Sequence, residues 1–201
     1  DNGSATAFYP GIGNAFADTT VNFPTVKNNF NGQTTSFFVQ SAGSEAAVTI
    51  TYKMNDGSTH TQSKTISANR SFTFDPDNAT PKVADTNCGS DAATSPCLGA
   101  ATVSSTSGDI VGIVIEYPDQ GSPAAFALSY AGFTAGNQGT TLLAPTIKNA
   151  FNGGTTGFSV QNVGTSQTTV NIKLTVTNAS NPALIGNVYN DSETVDPGES
   201  T

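Results

Sequence analysis

The sequence predicts an all-β protein made of antiparallel strands. Three observations carry this prediction: the composition, a period-two alternation of apolar residues, and an internal repeat. Ser and Thr together number 50, while charged residues make up only 11% of the chain. Ser, Thr, Asn and Gly therefore fill the polar positions that Glu, Lys and Arg occupy in helical proteins, and these residues favour strands, caps and turns.

One stretch of the chain occurs twice. Residues 24–43 read PTVKNNFNGQTTSFFVQSAG and residues 145–164 read PTIKNAFNGGTTGFSVQNVG, so 13 of 20 positions are identical at a shift of 121. The likeness continues from SKTISANRS at 63–71 to SETVDPGES at 192–200, and a weaker one relates residues 5–12 to residues 126–133. The chain is therefore expected to hold two copies of one structural unit.

The first copy divides into short strands separated by turn residues. Alternation predicts that Val48, Ile50, Tyr52 and Met54 share one face of a strand that a turn at residues 55–57 joins to its partner. Residues 110–117 (IVGIVIEY) are apolar on both faces, which predicts a central strand. The predicted strands are residues 35–40, 47–54, 60–66, 71–74, 101–105, 110–117 and 124–130. Such spacing is typical of an immunoglobulin-like β-sandwich.

The second copy begins in the same way but stops earlier. Strands are predicted at residues 140–148, 156–161 and 169–176, with a longer hairpin loop at 178–187. In the register of the first copy, Thr201 aligns with Phe72, so the copy lacks a counterpart of the central strand at 110–117. We therefore expect two tandem sandwich domains, at 20–137 and 138–201, the second incomplete within this chain, preceded by a strand segment at 1–19.

An incomplete sandwich exposes unpaired backbone groups and open apolar surface. Two explanations remain open: the chain is a segment of a longer tandem array, or a neighbouring chain supplies the missing edge. In the second case the candidate donor strand contains Ala5, Ala7 and Tyr9. Because donor and acceptor surfaces differ, strand donation would propagate head to tail into a homopolymer.

The cysteines indicate the compartment in which the protein folds, and the net charge bears on which classes of partner it can bind. Cys88 and Cys97 would close a short loop as a disulfide, which indicates an oxidising compartment, and two free buried thiols are the alternative. The formal net charge of −8 argues against nucleic acid as a partner. No apolar run is long enough for a membrane span. Glycans are a further partner, since Asn2, Asn78, Asn178 and Asn190 begin N-x-S/T sequons.

No arrangement of residues predicts an active site, a metal or a cofactor, so we expect a protein that is not an enzyme. His60, the single histidine, is expected to be an exposed strand residue rather than a general base. Asp75, Asp77, Asp85 and Asp91 surround the cysteine loop, either as solvated acids or as calcium ligands.

Several other side chains are expected to have structural roles only. Glu116 is expected to reach solvent, Lys27 and Lys148 to cap strand ends, and Phe37, Phe74, Phe126 and Phe158 to lie in the core.

The two copies share the string P-T-[VI]-K-N-x-F-N-G-x-T-T-x-F-x-V-Q-x-x-G, and Tyr130-Ala131-Gly132-Phe133 precedes the second copy. This pattern resembles the tandem β-sandwich repeats of secreted surface proteins in Chloroflexota. The resemblance covers most of the first copy and the opening half of the second. It implies an extracellular or cell-surface location and a structural or adhesive role. The expected function is a structural subunit of a surface filament or sheath. A carbohydrate-binding or adhesive module, or an accessory domain of a larger secreted protein, is the alternative.

Overall fold

The computed structural model describes residues 11–119, 127–151 and 153–201. Its regular elements there are ten β-strands and five short 3-10 helices. The strands are β1 (Thr20–Lys27), β2 (Gln33–Ser41), β3 (Ala46–Met54), β4 (Thr59–Ile66), β5 (Ser71–Phe74), β6 (Leu98–Ser105), β7 (Ile110–Pro118), β8 (Leu128–Ala131), β9 (Thr168–Thr175) and β10 (Val188–Val195). The 3-10 helices are Asn14–Phe16, Pro76–Asn78, Ala92–Thr94, Ala135–Asn137 and Pro182–Leu184. Within the described ranges no helix is long and apolar enough to cross a membrane.

Eight of the strands form two four-stranded sheets. The first sheet has the order β1-β6-β3-β4 and the second has the order β5-β2-β7-β8, while β9 and β10 form a separate two-stranded hairpin. Every strand pair in these sheets is antiparallel. The prediction of an all-β chain with antiparallel strands is confirmed.

The two four-stranded sheets pack face to face through one apolar core. Phe23 of β1 contacts Phe37 of β2 with ring centroids 5.2 Å apart, and Phe37 contacts Tyr52 of β3 at 5.7 Å. These three side chains are fully buried. Burial of aromatic side chains of this size is a major source of stability. The core also contains Val21, Val26, Val39, Ala46, Val48, Ile50, Met54, Ile66, Phe74, Ala79, Val83, Ala101, Val103, Ile110 and Val114.

Strands β6 and β7 lie in the interior of the two sheets. β6 lies between β1 and β3, and β7 lies between β2 and β8. The two strands are consecutive, so residues 98–118 supply an inner strand to each sheet. β1 has its ladder with β6, and β8 has its ladder with β7. Without this segment, only the pairs β3–β4 and β2–β5 of the two four-stranded sheets would retain their ladders.

The strand predictions for the first copy hold for most elements. β2 to β7 lie where alternation placed them, with boundaries that differ by up to three residues. The strand predicted at residues 124–130 corresponds to β8, which begins at Leu128. Residues 120–126 lie outside the described residues. β1 was missed, since Pro24 interrupts its alternation. The register of β1 with β6 shifts between Phe23 and Val26, which is where an edge strand tolerates proline.

The strand predictions for the second copy are partly wrong. β9 occupies the predicted strand at 169–176, and the predicted loop at 178–187 separates it from β10. Residues 140–148 and 156–161, however, form no strand, although their counterparts are β1 and β2. A strand needs a neighbour for its backbone hydrogen bonds, and β1 and β2 find theirs mainly in β6 and β7. The described part of the second copy offers no counterpart of those two strands.

Gly99 of β6 should be intolerant of any side chain, because a Cβ there would overlap the Lys53 carbonyl and lie 2.7 Å from the Met54 Cα. We expect Gly99→Ala to lower the free energy of unfolding by about 3 kcal/mol through overpacking. Gly157→Ala is the matched control, since a Cβ at Gly157 meets no atom within 4 Å. Denaturant unfolding of both variants tests this; equal stability would contradict the close approach of β6 to β3.

Candidate functional site

The turn in the repeated motif has the same local structure in both copies. In the first copy, the Lys27 backbone N–H donates to Thr35 Oγ1 at 3.1 Å, and in the second the Lys148 N–H donates to Thr156 Oγ1 at 3.1 Å. The predicted turn glycines, Gly32 and Gly153, adopt φ of 71° and 76°. Asn31 has a positive φ as well, whereas its counterpart Asn152 lies outside the described residues. The turn therefore forms from local sequence alone, as its side chains predict.

The second copy also keeps the pairing that corresponds to β2–β5. Val160 and Thr201 exchange backbone hydrogen bonds of 3.0 and 3.1 Å, and Gln161 bridges Ser200. In the first copy the aligned pairs are Val39 with Phe72 and Gln40 with Ser71. The second copy thus retains the counterparts of β3–β4 and β2–β5, which are the pairs that do not depend on β6 or β7.

The apolar side chains of the second copy are exposed where those of the first are buried. Phe37 is fully buried, whereas its counterpart Phe158 is 44% exposed. Tyr52 is fully buried, whereas its counterpart Leu174 is 36% exposed. The expectation that Phe158 lies in a core is therefore wrong in this structure, while Phe37 and Phe74 do lie in the core. Phe126 lies outside the described residues.

Exposed apolar side chains of the second copy extend well beyond these two. Leu142 and Leu143 are 62% and 91% exposed, and the hairpin of β9 and β10 exposes a further group. That group contains Leu184, Ile185, Val188 and Tyr189. Exposed apolar patches of this kind mark interaction surfaces in soluble proteins.

The edge of residues 158–162 that faces away from Thr201 is open. Antiparallel pairing directs the backbone groups of alternate residues to opposite sides. Because Val160 bonds to Thr201, the backbone groups of Ser159 and Gln161 face the other side. Within the described residues these groups have no hydrogen-bond partner. We call residues 154–162 the open edge; its counterpart in the first copy, β2, is paired along its whole length with β7.

The two lysines of the motif differ in their partners. Lys27 Nζ lies 2.6 Å from Glu116 Oε1, and the two side chains are only 20% and 10% exposed. Lys27 also donates to Gln33 Oε1 at 3.1 Å. The expectations that Lys27 caps a strand end and that Glu116 reaches solvent are therefore wrong: the pair ties β1 to β7 inside the sandwich. Lys148 makes no ion pair with any described residue.

The cysteine loop is anchored to the repeated motif. Cys88 and Cys97 are joined by a disulfide, with Cα atoms 5.2 Å apart. Asn28, only 2% exposed, donates from its side chain to the Val83 carbonyl and to Asp77, and its backbone N–H donates to the Cys97 carbonyl. The loop therefore packs against the turn that follows β1.

The four aspartates around this loop have separate partners. Asp77 and Asp85 both contact Lys82, at 3.2 and 2.9 Å, and these hydrogen bonds raise the pKa of Lys82 and lower that of Asp85. Asp75 accepts a hydrogen bond from Ser36, and Asp91 accepts one from the Ala93 backbone. Within the described ranges, no group of three or more His, Cys, Asp or Glu residues is arranged to hold a metal ion.

His60 is buried, so the expectation of an exposed strand histidine is wrong. Its Nδ1 donates to the Pro81 carbonyl at 2.9 Å, and its Nε2 lies 2.9 Å from Ser58 Oγ. Ser58 Oγ also contacts Asp56 at 2.6 Å. A catalytic triad requires the acid on the Nδ1 side of the imidazole, whereas here the acid contacts the serine. This arrangement anchors the loop that contains Pro81 to the β3–β4 hairpin.

Only some of the predicted sequon and donor residues lie within the residues that the structure describes. Asn78, Asn178 and Asn190 are exposed, as sequon acceptors must be. Asn2, Ala5, Ala7 and Tyr9 lie outside the described residues.

No family model matches the chain. No curated protein matches it. Among solved structures, the chain is similar to the crystal structure of Thermotoga maritima 1070, with a TM-score of 0.42 and 16% identity, over 60% of this chain and 97% of that one. A likeness at this level assigns neither a fold family nor a function.

The ion pair of the first copy should contribute to stability, whereas the unpaired lysine of the second should not. Removing one partner of a partly buried pair leaves a charge without compensation. We expect Lys27→Gln to lower the free energy of unfolding of the first copy by about 2 kcal/mol. Lys148→Gln, the same change at the repeated position, should have no measurable effect. Chemical denaturation followed by tyrosine fluorescence tests the pair; equal loss in both variants would contradict this assignment.

Proposed function

We propose that this protein is a structural subunit of an extracellular surface filament or sheath that assembles head to tail through its β-repeats. One observation carries the proposal. Two stretches that share 13 of 20 residues form paired strands in one copy and no four-stranded sheet in the other. The second copy is folded locally in its turn and its hairpin, and within the described residues the counterparts of β1 and β2 have no strand equivalent to β6 or β7 beside them.

An edge of this kind favours association with further strands. Unpaired backbone N–H and C=O groups beside exposed apolar side chains form a template for strand addition. The surface that accepts a strand differs from the surface that donates one, so the contact is heterologous and generates an open chain of subunits. Self-association into a linear polymer follows from this geometry without any bound cofactor.

The remaining features support an extracellular location. The disulfide between Cys88 and Cys97 is typical of proteins that fold in an oxidising compartment. The surface is rich in Ser, Thr and Asn and poor in charge. The exposed sequon residues Asn78, Asn178 and Asn190 would allow glycans to contribute to hydration.

The proposal includes a tandem arrangement of two sandwich units of immunoglobulin-like architecture, the second completed from outside residues 138–201. The grouping of the strands of the first unit into two packed sheets supports a β-sandwich. It does not match the strand grouping of an antibody domain. An antibody constant domain groups its first, second, fourth and fifth strands in one sheet. Here the first, third, fourth and sixth strands share a sheet.

Electron microscopy of the purified native protein tests the filament directly. We expect uniform fibres, and dispersed monomers at every protein concentration would contradict the proposal.

Deletion of residues 1–12 tests the role of Ala5, Ala7 and Tyr9 as donors. If these residues donate the strand, the deletion variant should remain monomeric while its first unit keeps its unfolding transition, and undiminished fibre formation would exclude that donor.

A groove on the outer face of the second sheet favours carbohydrate binding as a second candidate function. The groove has a volume of about 440 Å³ and is lined by hydroxyl and carboxylate side chains that include Ser36, Thr73 and Asp75. Tyr117 also lines the groove, and Phe38 lies on the same face; each is 36% exposed. Aromatic surface beside hydrogen-bonding groups is a combination that suits a hydroxyl-rich ligand.

Glycan-array binding distinguishes this candidate from a purely structural role. If the groove binds a neutral sugar, the protein should retain a defined set of glycans, and Tyr117→Ala should lower the affinity about tenfold or more. Tyr189→Ala is the matched control, because Tyr189 is an exposed tyrosine of β10, outside this groove. Absence of binding to any glycan would remove the candidate.

A further inference from the structure

We propose that Lys27 and Gln33 form an intramolecular amide crosslink, in which the Lys27 amine replaces the carboxamide nitrogen of Gln33 and Glu116 transfers the protons. The inference goes beyond the proposed function and does not depend on it, because the crosslink forms within one chain. It rests on an amine, a carboxamide and a carboxylate that meet where β1 ends and β2 begins.

The backbone of the first unit brings these three side chains together. Thr35 Oγ1 accepts a hydrogen bond from the Lys27 N–H and donates one to the Lys27 carbonyl, both at 3.1 Å. Glu116 of β7 is the ladder partner of Thr35. Gln33 lies two residues before Thr35, so both side chains are on the same face of β2. The end of β1 is therefore held beside Gln33 and Glu116.

The Lys27 ammonium group contacts both other members of the site. Its Nζ atom lies 2.6 Å from Glu116 Oε1 and 3.1 Å from Gln33 Oε1. Gln33 and Glu116 are only 5% and 7% exposed, so bulk water has little access to either residue. Burial is the main reason that the pKa of Tyr130 is raised, and the nearby Glu116 charge also raises it. Glu116 therefore acts in an interior where charges are weakly screened.

The carboxamide nitrogen of Gln33 is the leaving group of the proposed reaction. Gln33 Nε2 is buried and has no hydrogen-bond partner among the described residues. A buried donor without a partner lowers the stability of the folded state. Loss of this nitrogen as ammonia removes the unpaired donor, while the oxygen that contacts Lys27 remains in the product.

The reaction balances without any further reactant. A proton moves from Lys27 Nζ to Glu116 along their contact, which gives a neutral amine and a carboxylic acid. The Nζ lone pair then forms a bond to Gln33 Cδ, and the electron pair of the carbonyl moves to Oε1. Glu116 gives its proton to Nε2 and takes one from Nζ, the bond from Cδ to Nε2 breaks, and the carbonyl re-forms. Ammonia leaves and takes the last proton from Glu116, which returns to its carboxylate form.

The second copy lacks one member of this site. Lys148 aligns with Lys27, and its backbone N–H is held by Thr156 Oγ1 at the same distance of 3.1 Å. Gly154, however, aligns with Gln33 and offers no carboxamide. The crosslink is therefore expected at Lys27 and not at Lys148, which makes the second copy an internal control.

The crosslink would join the two sheets of the first unit at one point. β1 belongs to the first sheet and β2 belongs to the second. The new bond closes the turn between them into a covalent ring that contains Asn28. Asn28 donates hydrogen bonds to the carbonyls of Val83 and Cys97, so the ring would also fix the residue that anchors the cysteine loop.

Mass spectrometry of the reduced full chain tests the crosslink. We expect a mass about 17 Da below the value for the unmodified sequence, which corresponds to the loss of one ammonia. Trypsin does not cleave after an acylated lysine, so residues 1–53 should remain one peptide while cleavage after Lys148 proceeds. An unchanged mass with normal cleavage after Lys27 would overturn the inference. A loss of about 18 Da would also overturn it, because that loss indicates condensation of Lys27 with Glu116.

Variants at the reacting residues identify the source of the lost ammonia. Lys27→Gln and Gln33→Ala should each restore the unmodified mass, whereas Lys148→Gln, the matched control, should keep the loss. Cyclisation of Asn31 onto the Gly32 nitrogen also releases ammonia, but it does not need Lys27. A loss that persists in Lys27→Gln would therefore contradict the crosslink.

A third position tests the proton transfer. Glu116→Gln should lower the crosslinked fraction about tenfold or more, because an amide is unable to act as the acid and base. Tyrosine fluorescence shows whether this variant is folded. If it does not fold, Glu116→Asp takes its place, since it keeps a carboxylate and should crosslink more slowly than the unaltered chain. Crosslinking at the unaltered rate in the folded variant would reject the role of Glu116.

Discussion

The pairing of β6 and β7 with the strands beside them is the interaction on which the rest of the structure depends. β1 and β8 have their ladders with these two strands, and β2 is paired with β7 along its whole length. Backbone groups removed from water require partners, so a segment with strand propensity stays irregular until a neighbour reaches it. The first unit is closed because residues 98–118 add an inner strand to both sheets.

The repeat makes this dependence visible within one chain. The turn at Gly32 and the turn at Gly153 form alike, because short-range hydrogen bonds and glycine conformations are enough to build them. Residues 145–164 nevertheless stay outside a four-stranded sheet, although they share most of their sequence with residues 24–43. Local sequence thus decides the turn, and a distant partner decides the strand.

The same logic connects structure to the proposed role. In the described part of the second copy the hairpin of β9 and β10 is kept while apolar side chains such as Phe158 and Leu174 are exposed, and exposed strand edges beside apolar side chains favour association with further strands. In the first unit, Lys27 and Glu116 meet inside the sandwich. Lys148 stands at the matching place in the second copy, where it makes no ion pair with any described residue.

Sequence by itself determined the fold class, the repeat and most strands of the first unit, since alternation and turn residues are local signals. It did not predict the burial of His60 or the contact between Lys27 and Glu116, because each of these depends on a residue more than twenty positions away. It also assigned strands to residues 140–148 and 156–161, where strand propensity is present but the described residues contain no counterpart of β6 or β7. Only the tertiary structure decided which strand-forming segments became strands, because sheet hydrogen bonds join residues far apart in the chain.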